Sequence, residues 1–184
     1  ISIEERTLMA DAFPKGIHYE KFEKELKTLK ANGSSKENEI RKQLHSHIKG
    51  SKDKRIILSI DPLDYTKGIP QRIAAFELFL QEHPEYIEKV SLLLIALPSR
   101  ETGMAYDNLK RQVDEFVGRV NGNYGTIAWT PIIYLNQYFS IEELIELYAF
   151  SNIALILPFR DGMNMAAKEY IASRLEHDAE MLLN

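Results

Sequence analysis

The 184-residue sequence contains no cysteine, which excludes a disulfide framework, a thiolate zinc site and a cysteine nucleophile. No stretch approaches the ~18 consecutive apolar residues that a membrane-spanning helix needs. The opening residues Ile1-Ser2-Ile3-Glu4-Glu5 lack the basic-then-apolar order of a secretory signal. Charge of one sign is missing too: 23 basic and 27 acidic side chains leave a net charge of -4 without a long block of either, which argues against a nucleic-acid-coating surface. There is no Gly-x-Gly-x-x-Gly, P-loop or Gly-x-Ser-x-Gly element. The histidines His18, His45, His47, His83 and His177 have no carboxylate at ligand spacing, and His45 and His47 sit in a polar segment that favours solvation over metal binding, so no metal site is expected. These gaps lead to the expectation of a soluble, cytoplasmic protein with neither nucleic acid nor membrane as a partner. The chain opens without Met and closes at Met181-Leu182-Leu183-Asn184 inside what reads as an element, so a piece of a longer chain is expected.

What is present suits one well-buried domain: 184 residues of which 45% are hydrophobic. From Arg55 onward, short β-rich apolar runs alternate with segments of helical period, the pattern of βαβ units and a doubly wound parallel sheet. Strands are expected over 55–61, 90–97, within 126–135 and over 153–157. Helices are expected over 69–82, 104–120, 140–150 and 164–175. Pro70 suits a first helical turn, with Ile73, Phe76, Leu78, Phe79 and Leu80 as the apolar stripe. Ser140-Ile141-Glu142-Glu143 fits a capping box. The third strand carries Ile127, Trp129, Ile132 and Ile133, after turn chemistry at 121–125. Before residue 55 the pattern is weaker, with a strand over 7–13, helices over 19–30 and 35–47, and a mobile loop near 32–38. The segment 1–54 thus reads as an inter-domain segment and the start of a domain, and 55–184 as a Rossmann-like domain truncated at its C-terminal end.

In a doubly wound sheet the ligand lies beyond the carboxyl ends of the strands, where loops and helix N-termini converge. Three loops there are polar: Asp61-Pro62-Leu63-Asp64-Tyr65-Thr66-Lys67-Gly68, Pro98-Ser99-Arg100 and Phe159-Arg160-Asp161-Gly162-Met163-Asn164. The last runs straight into a helix whose free N–H groups suit a phosphate or sugar hydroxyls. Gly162 permits close backbone approach, Asp161 can grip hydroxyls, and Glu169 can accept both hydroxyls of a ribose. Lys67 can meet a diphosphate and Arg100 can clamp an anion with two parallel hydrogen bonds. Taken singly, Asp161-Gly162 is a turn, Lys67 a solvated lysine and Arg100 a surface arginine. Three such loops at one sheet edge shift the balance toward a site. Tyr65 and Tyr134 suit either a base or sugar pocket or core packing.

The first and third loops, with Lys168-Glu169-Tyr170, resemble the C-terminal domain of the trehalose-6-phosphate synthases, glycosyltransferase family 20. Phe13-Pro14-Lys15-Gly16-Ile17, Glu82-His83-Pro84-Glu85, Pro98-Ser99-Arg100, Gly118-Arg119-Val120-Asn121-Gly122 and Pro131-Ile132-Ile133-Tyr134-Leu135 fall where that family has similar segments. The resemblance implies the donor half of a two-domain GT-B enzyme that moves glucose from UDP-glucose to glucose 6-phosphate, with retention and without a required metal or other cofactor. It implies that Lys67 neutralises the leaving diphosphate, Asp161 holds donor-sugar hydroxyls, and backbone groups from Gly162 through Met163 and Asn164 to Met165 support sugar and phosphate. Glu169 would take the ribose, Arg100 the acceptor phosphate, and Tyr134 and Leu135 would lie beside the uracil. Most acceptor contacts would come from a missing N-terminal Rossmann domain, so the chain alone is expected to bind without turnover; homo-oligomerisation stays open. The sequence departs from the family at Pro62, where the family has an arginine that partners the lysine on the diphosphate. Proline supplies neither charge nor N–H, so weakened donor binding is expected, by ~1.5–3 kcal/mol. A weak or inactive relative with a regulatory or scaffold role, and a glycosyltransferase for another nucleotide sugar such as GDP-glucose, remain as alternatives.

Overall fold

The computed structural model describes residues 2–3, 6–7, 11, 14–31, 54–99, 103–174 and 180–183. The helix expected over 35–47, the loop near 32–38, most of the strand expected over 7–13, and Arg100, His45, His47 and His177 lie outside the described residues. Ser2–Ile3 (β1) and Arg6–Thr7 (β2) form a small antiparallel ladder. Helix α1, Tyr19–Ala31, follows.

The main body alternates β3 (Arg55–Pro62), α2 (Ile69–Glu82), β4 (Val90–Leu97), α3 (Met104–Tyr124), β5 (Ile132–Leu135), α4 (Ile141–Phe150), β6 (Ile153–Ile156), α5 (Met165–Ala172) and β7 (Glu180–Leu183). The five strands β3 to β7 pair in the order β5-β4-β3-β6-β7, every pair parallel. β4 buries its first seven residues because it lies inside the sheet with helices on both faces. Its alternate side chains feed two cores. Leu92, Leu94 and Ala96 meet Ile69, Ile73, Phe76 and Leu80 of α2 and Val113, Val117 and Val120 of α3 on one face. Leu93 and Ile95, with Ile56, Leu58 and Ile60, meet Leu147 and Tyr148 of α4 and Ala167 and Tyr170 of α5 on the other. Helix α1 rests outside α4 and α5 through Phe22 and Leu26. The doubly wound α/β class read from the sequence is therefore the class observed.

Several local expectations change. The stripe of α2 runs through Ile69, Ile73, Phe76 and Leu80, at helical spacing, whereas Leu78 falls on the opposite face and is 51% exposed. Helix α3 continues past 120 to Tyr124, because Asn121 does not open a turn there. Its amide oxygen accepts from the Ile132 N–H at 2.8 Å and its amide nitrogen donates to the Ile132 carbonyl at 2.9 Å. Strand β5 starts only at Ile132; Thr126 to Trp129 form a tight turn that turns Ile127 out to solvent, while Trp129 is buried and donates to Ser91. A fifth strand, β7, extends the sheet beyond the four expected. The capping box at Ser140 and Glu143 forms in both directions, at 3.2 and 2.7 Å.

Candidate functional site

The strand order places the switch point between β3 and β6: the chain winds outward through β4 and β5 on one side, then returns to add β6 and β7 on the other. The two strands pair only at Ile57 with Ile153 and Leu58 with Ala154. β3 continues to Pro62 on its β4 side alone. Past Leu58 no ladder joins β3 to β6, so their carboxyl ends are unpaired with each other at the switch point, the place where doubly wound folds bind ligands.

Arg72 of α2 lies at that point. Its guanidinium donates to Ser59 Oγ and to Asp61 Oδ2, both at 2.6 Å, to the Lys67 carbonyl, and in a long 3.5 Å contact to the Leu155 carbonyl of β6. Arg72 and Asp61 are 2% and 4% exposed. Burial, the larger effect, raises the Asp61 pKa above the usual carboxylate value, while the Arg72 charge and hydrogen bond pull it back. The carboxylate read from the sequence as presented at the strand end is therefore turned inward, into the arginine.

Above this buried pair the two loops meet. Asp64 accepts from the Thr66 N–H at 2.7 Å and from the Thr66 hydroxyl, which winds 65–67 into a single 3-10 turn. The Thr66 carbonyl then accepts from the N–H groups of Phe159 and Arg160 at 2.8 and 3.3 Å, tying the β3 loop to the β6 loop. Gly68 closes the turn with φ +63°, in the left-handed region, close against the Leu157 carbonyl.

Across this tie Lys67 Nζ donates to Asp161 Oδ2 at 2.8 Å. The two side chains are 17% and 19% accessible, although the backbone at Asp161 lies open. Asp161 also accepts from the Met163 N–H at 3.2 Å and from the Asn164 amide at 3.0 Å. Partial burial opposes its charge, but the Lys67 hydrogen bond, the Met163 N–H, the Lys67 charge and Asn164 together hold its pKa below the usual value. Asn164 in turn caps α5 by accepting from the Ala167 N–H at 2.9 Å. Residues 161 to 164 thus form a turn whose polar groups surround the N-terminus of α5, and nothing stands within 4 Å of where a Cβ at Gly162 would lie.

On α5, Glu169 faces the buried phenol of Tyr148 on α4, which donates to its Oε2 at 2.9 Å. Lys168 reaches the other way, to the Lys15 carbonyl at 2.6 Å and to the Met163 sulfur.

Of the residues proposed from the sequence, Lys67, Asp161, Gly162, Met163, Asn164, Met165 and Glu169 belong to these loops and the helix they open into. Tyr134 and Leu135 stand at the carboxyl end of β5, the sheet edge two strands from β3. Tyr134 packs toward the α2 and α3 face, where burial and then the Asp114 charge push its phenol pKa well up. Arg72, Asp64 and Tyr148 were not read from the sequence as site residues; a lysine loop closed by an aspartate could have pointed to Asp64, but nothing marked the other two. Among the described residues, no three His, Cys, Asp or Glu side chains gather as a metal site, and no helix is long and apolar enough to cross a membrane.

Fold and site together define a doubly wound α/β domain with a lysine, a carboxylate and a helix N-terminus gathered at its switch point. The family model of glycosyltransferase family 20 matches residues 1–184. The chain belongs to that family. It is 44% identical over 173 residues to an alpha,alpha-trehalose-phosphate synthase [UDP-forming] of Botryotinia fuckeliana, covering 94% of this chain and 31% of the relative. A crystal structure of the Burkholderia xenovorans synthase in complex with glucose-6-phosphate matches with TM-score 0.84 and 31% identity, covering 97% of this chain and 37% of that one. The E. coli protein bound with UDP-2-fluoro glucose matches with TM-score 0.77 and 33% identity, over 91% of this chain and 35% of that one. The chain spans about a third of the length of these relatives.

Proposed function

We propose that this chain is the donor-binding half of a retaining GT-B glycosyltransferase that transfers glucose from UDP-glucose to glucose 6-phosphate, releasing UDP and trehalose 6-phosphate. The observation that carries the reading is the Lys67 to Asp161 pair at the switch point, a cation and a carboxylate brought together by two loops 94 residues apart in sequence. Solved relatives bound to glucose-6-phosphate and to UDP-2-fluoro glucose support it.

In this reading the bond between the glucose anomeric carbon and the diphosphate breaks, and the anomeric hydroxyl of glucose 6-phosphate attacks from the face the leaving group vacates, passing its proton to the departing diphosphate. Lys67 meets the charge growing on the diphosphate, and the N-terminus of α5 adds its positive end. Asp161 exchanges Lys67 for donor-sugar hydroxyls, while the backbone from Gly162 to Met165 supports sugar and phosphate. Glu169 takes the ribose, Tyr134 and Leu135 the uracil edge, and Arg100 the acceptor phosphate. No resident metal or other cofactor is invoked.

A preceding Rossmann domain of the same protein would supply the remaining acceptor contacts. Tyr65 and Phe159, 75% and 63% exposed on the two loops, give such a domain an apolar surface to cover. The domain reading from the sequence, with 1–54 as approach and 55–184 as donor domain, is retained as part of this proposal. A cytoplasmic setting accords with two substrates that are charged phosphates and do not cross a bilayer unaided.

The test is incubation of the intact protein with UDP-glucose and glucose 6-phosphate, following UDP release and trehalose 6-phosphate together. Formation of both supports the reading; saturable UDP binding without turnover supports the second reading, a family member weakened or silenced by Pro62. GDP-glucose in parallel decides the base.

A further inference from the structure

We propose that Tyr148 is a positioning residue that holds Glu169 ready for the ribose of the nucleotide. The inference rests on the assignment of Glu169 to the ribose and adds a residue on a different helix that sets its geometry.

Tyr148 lies on α4 with its ring in the core beneath β3 and β6, 1% exposed. Its ring is fixed edge-on against Tyr170, centroids 6.3 Å apart at 79°. Tyr170 is itself anchored by donating to the Asn152 carbonyl at 3.1 Å. The Tyr148 hydroxyl therefore has little freedom, and it donates to Glu169 Oε2 at 2.9 Å. A core tyrosine needs only some acceptor for its hydroxyl; this one uses a partly exposed carboxylate one helix turn inside α5, on the helix whose N-terminus carries the Asp161 turn. Burial, and next the Glu169 charge, push the phenol pKa far above its usual value, so it stays a donor at any working pH. No other hydrogen bond to this carboxylate occurs among the described residues, which leaves Oε1 and the second lone pair of Oε2 to accept from a ligand.

A free glutamate side chain loses rotamer freedom when it is ordered. Fixing it before the nucleotide arrives lowers that cost of binding. A vicinal diol asks for two acceptor positions in a set orientation, and a carboxylate steered by one oxygen offers them only if it does not rotate. The phenol thus acts on ribose recognition without touching the ribose.

The experiment compares binding of UDP and 2′,3′-dideoxy-UDP by calorimetry to the intact protein, as wild type, Tyr148→Phe and Glu169→Gln. Phenylalanine keeps the ring and its contact with Tyr170, and a melting curve confirms that the variant is folded. Expected is a loss of about five- to tenfold in UDP affinity for Tyr148→Phe, the size of one hydrogen bond, with the dideoxy affinity unchanged. Equal weakening toward both nucleotides, or no change toward either, would overturn the positioning role. If Glu169→Gln keeps the preference of the wild type for UDP, the ribose assignment itself falls, and with it this inference. The same holds if the wild type shows no preference or no binding.

Discussion

Lys67 Nζ sits 2.8 Å from Asp161 Oδ2, so the cation proposed to meet the diphosphate is held, before any ligand arrives, by the carboxylate proposed to hold the sugar. In the proposed reading Asp161 therefore has two opposed effects. It steers Lys67 into the crevice, and it competes with the diphosphate for the same ammonium.

Asp161→Asn separates those effects. Removing the charge frees Lys67 and takes a negative group away from the phosphates, so UDP alone should bind a few-fold more tightly, within the ~1 kcal/mol of a pair that is partly screened by water. Turnover of UDP-glucose should fall by ~100-fold or more, because the sugar loses its carboxylate in the transition state. Calorimetry with UDP and a steady-state assay with UDP-glucose check the two signs. Weaker UDP binding in the variant would show that Asp161 serves only to position Lys67.

Lys67→Ala should lower kcat by about 100- to 1000-fold, as expected when one preorganised charge at a leaving group is removed, with a smaller change in glucose 6-phosphate KM. The measurement is a full kinetic matrix in both substrates. An effect confined to the acceptor KM would move Lys67 away from the donor phosphates.

Pro62→Arg tests the departure that the resemblance implies at this position. Pro62 is exposed and ends β3 beside Leu97, at the rim of the crevice. An arginine there would point its charge at the same phosphates as Lys67. UDP affinity should rise about tenfold or more, following from ~1.5–3 kcal/mol for a charge-assisted hydrogen bond. Unchanged affinity would mean that this protein balances its donor charge without that position.

How much of this was legible in the sequence depended on whether a side chain's role is local. The apolar runs at 55–61 and 90–97 and the cap at Ser140 act within a few residues of themselves, and they were readable. Lys67 and Asp161 stood out because each follows a strand end. Arg72 did not, since an arginine on an amphipathic helix reads as solvated until the split between β3 and β6 is seen around it. Tyr148 carried no signal of its own; only the fold shows its ring in the core and its hydroxyl on Glu169. Residues 181–184 read only as part of an element, because so short an apolar run does not by itself separate a strand from a helix; the structure makes it strand β7.

Arg72→Met should expose the dependence of the switch point on its buried charge. Losing one partner of a buried pair costs ~3–5 kcal/mol because the other charge is left uncompensated. The Asp61 pKa is already raised above 3.8 in the fold by burial, against the pull of Arg72. The folded state thus holds that proton more readily than the unfolded state, and stability declines as pH rises from about 3.8 through the folded value. Without Arg72 the folded value moves higher, so the variant should recover part of its loss on going from pH 7 to pH 5, relative to wild type. Urea unfolding at both pH values checks this, and Asp61→Asn in the same background should remove the pH dependence.

Alanine at the two loop glycines should give opposite readouts. At Gly68 the backbone has φ +63°, and a Cβ would stand 3.4 Å from both the Leu157 carbonyl and the Phe159 ring. Gly68→Ala should therefore cost ~1–2 kcal/mol in stability from the left-handed backbone alone, and should disturb Lys67 with it. At Gly162 a Cβ would meet nothing within 4 Å, so Gly162→Ala should leave stability within ~0.5 kcal/mol of wild type. The space is nevertheless the side from which donor sugar and phosphate are proposed to approach the backbone. UDP-glucose affinity should fall in Gly162→Ala with the melting temperature unchanged. A Gly162→Ala protein that binds UDP-glucose as wild type does would place the donor elsewhere than over the N-terminus of α5.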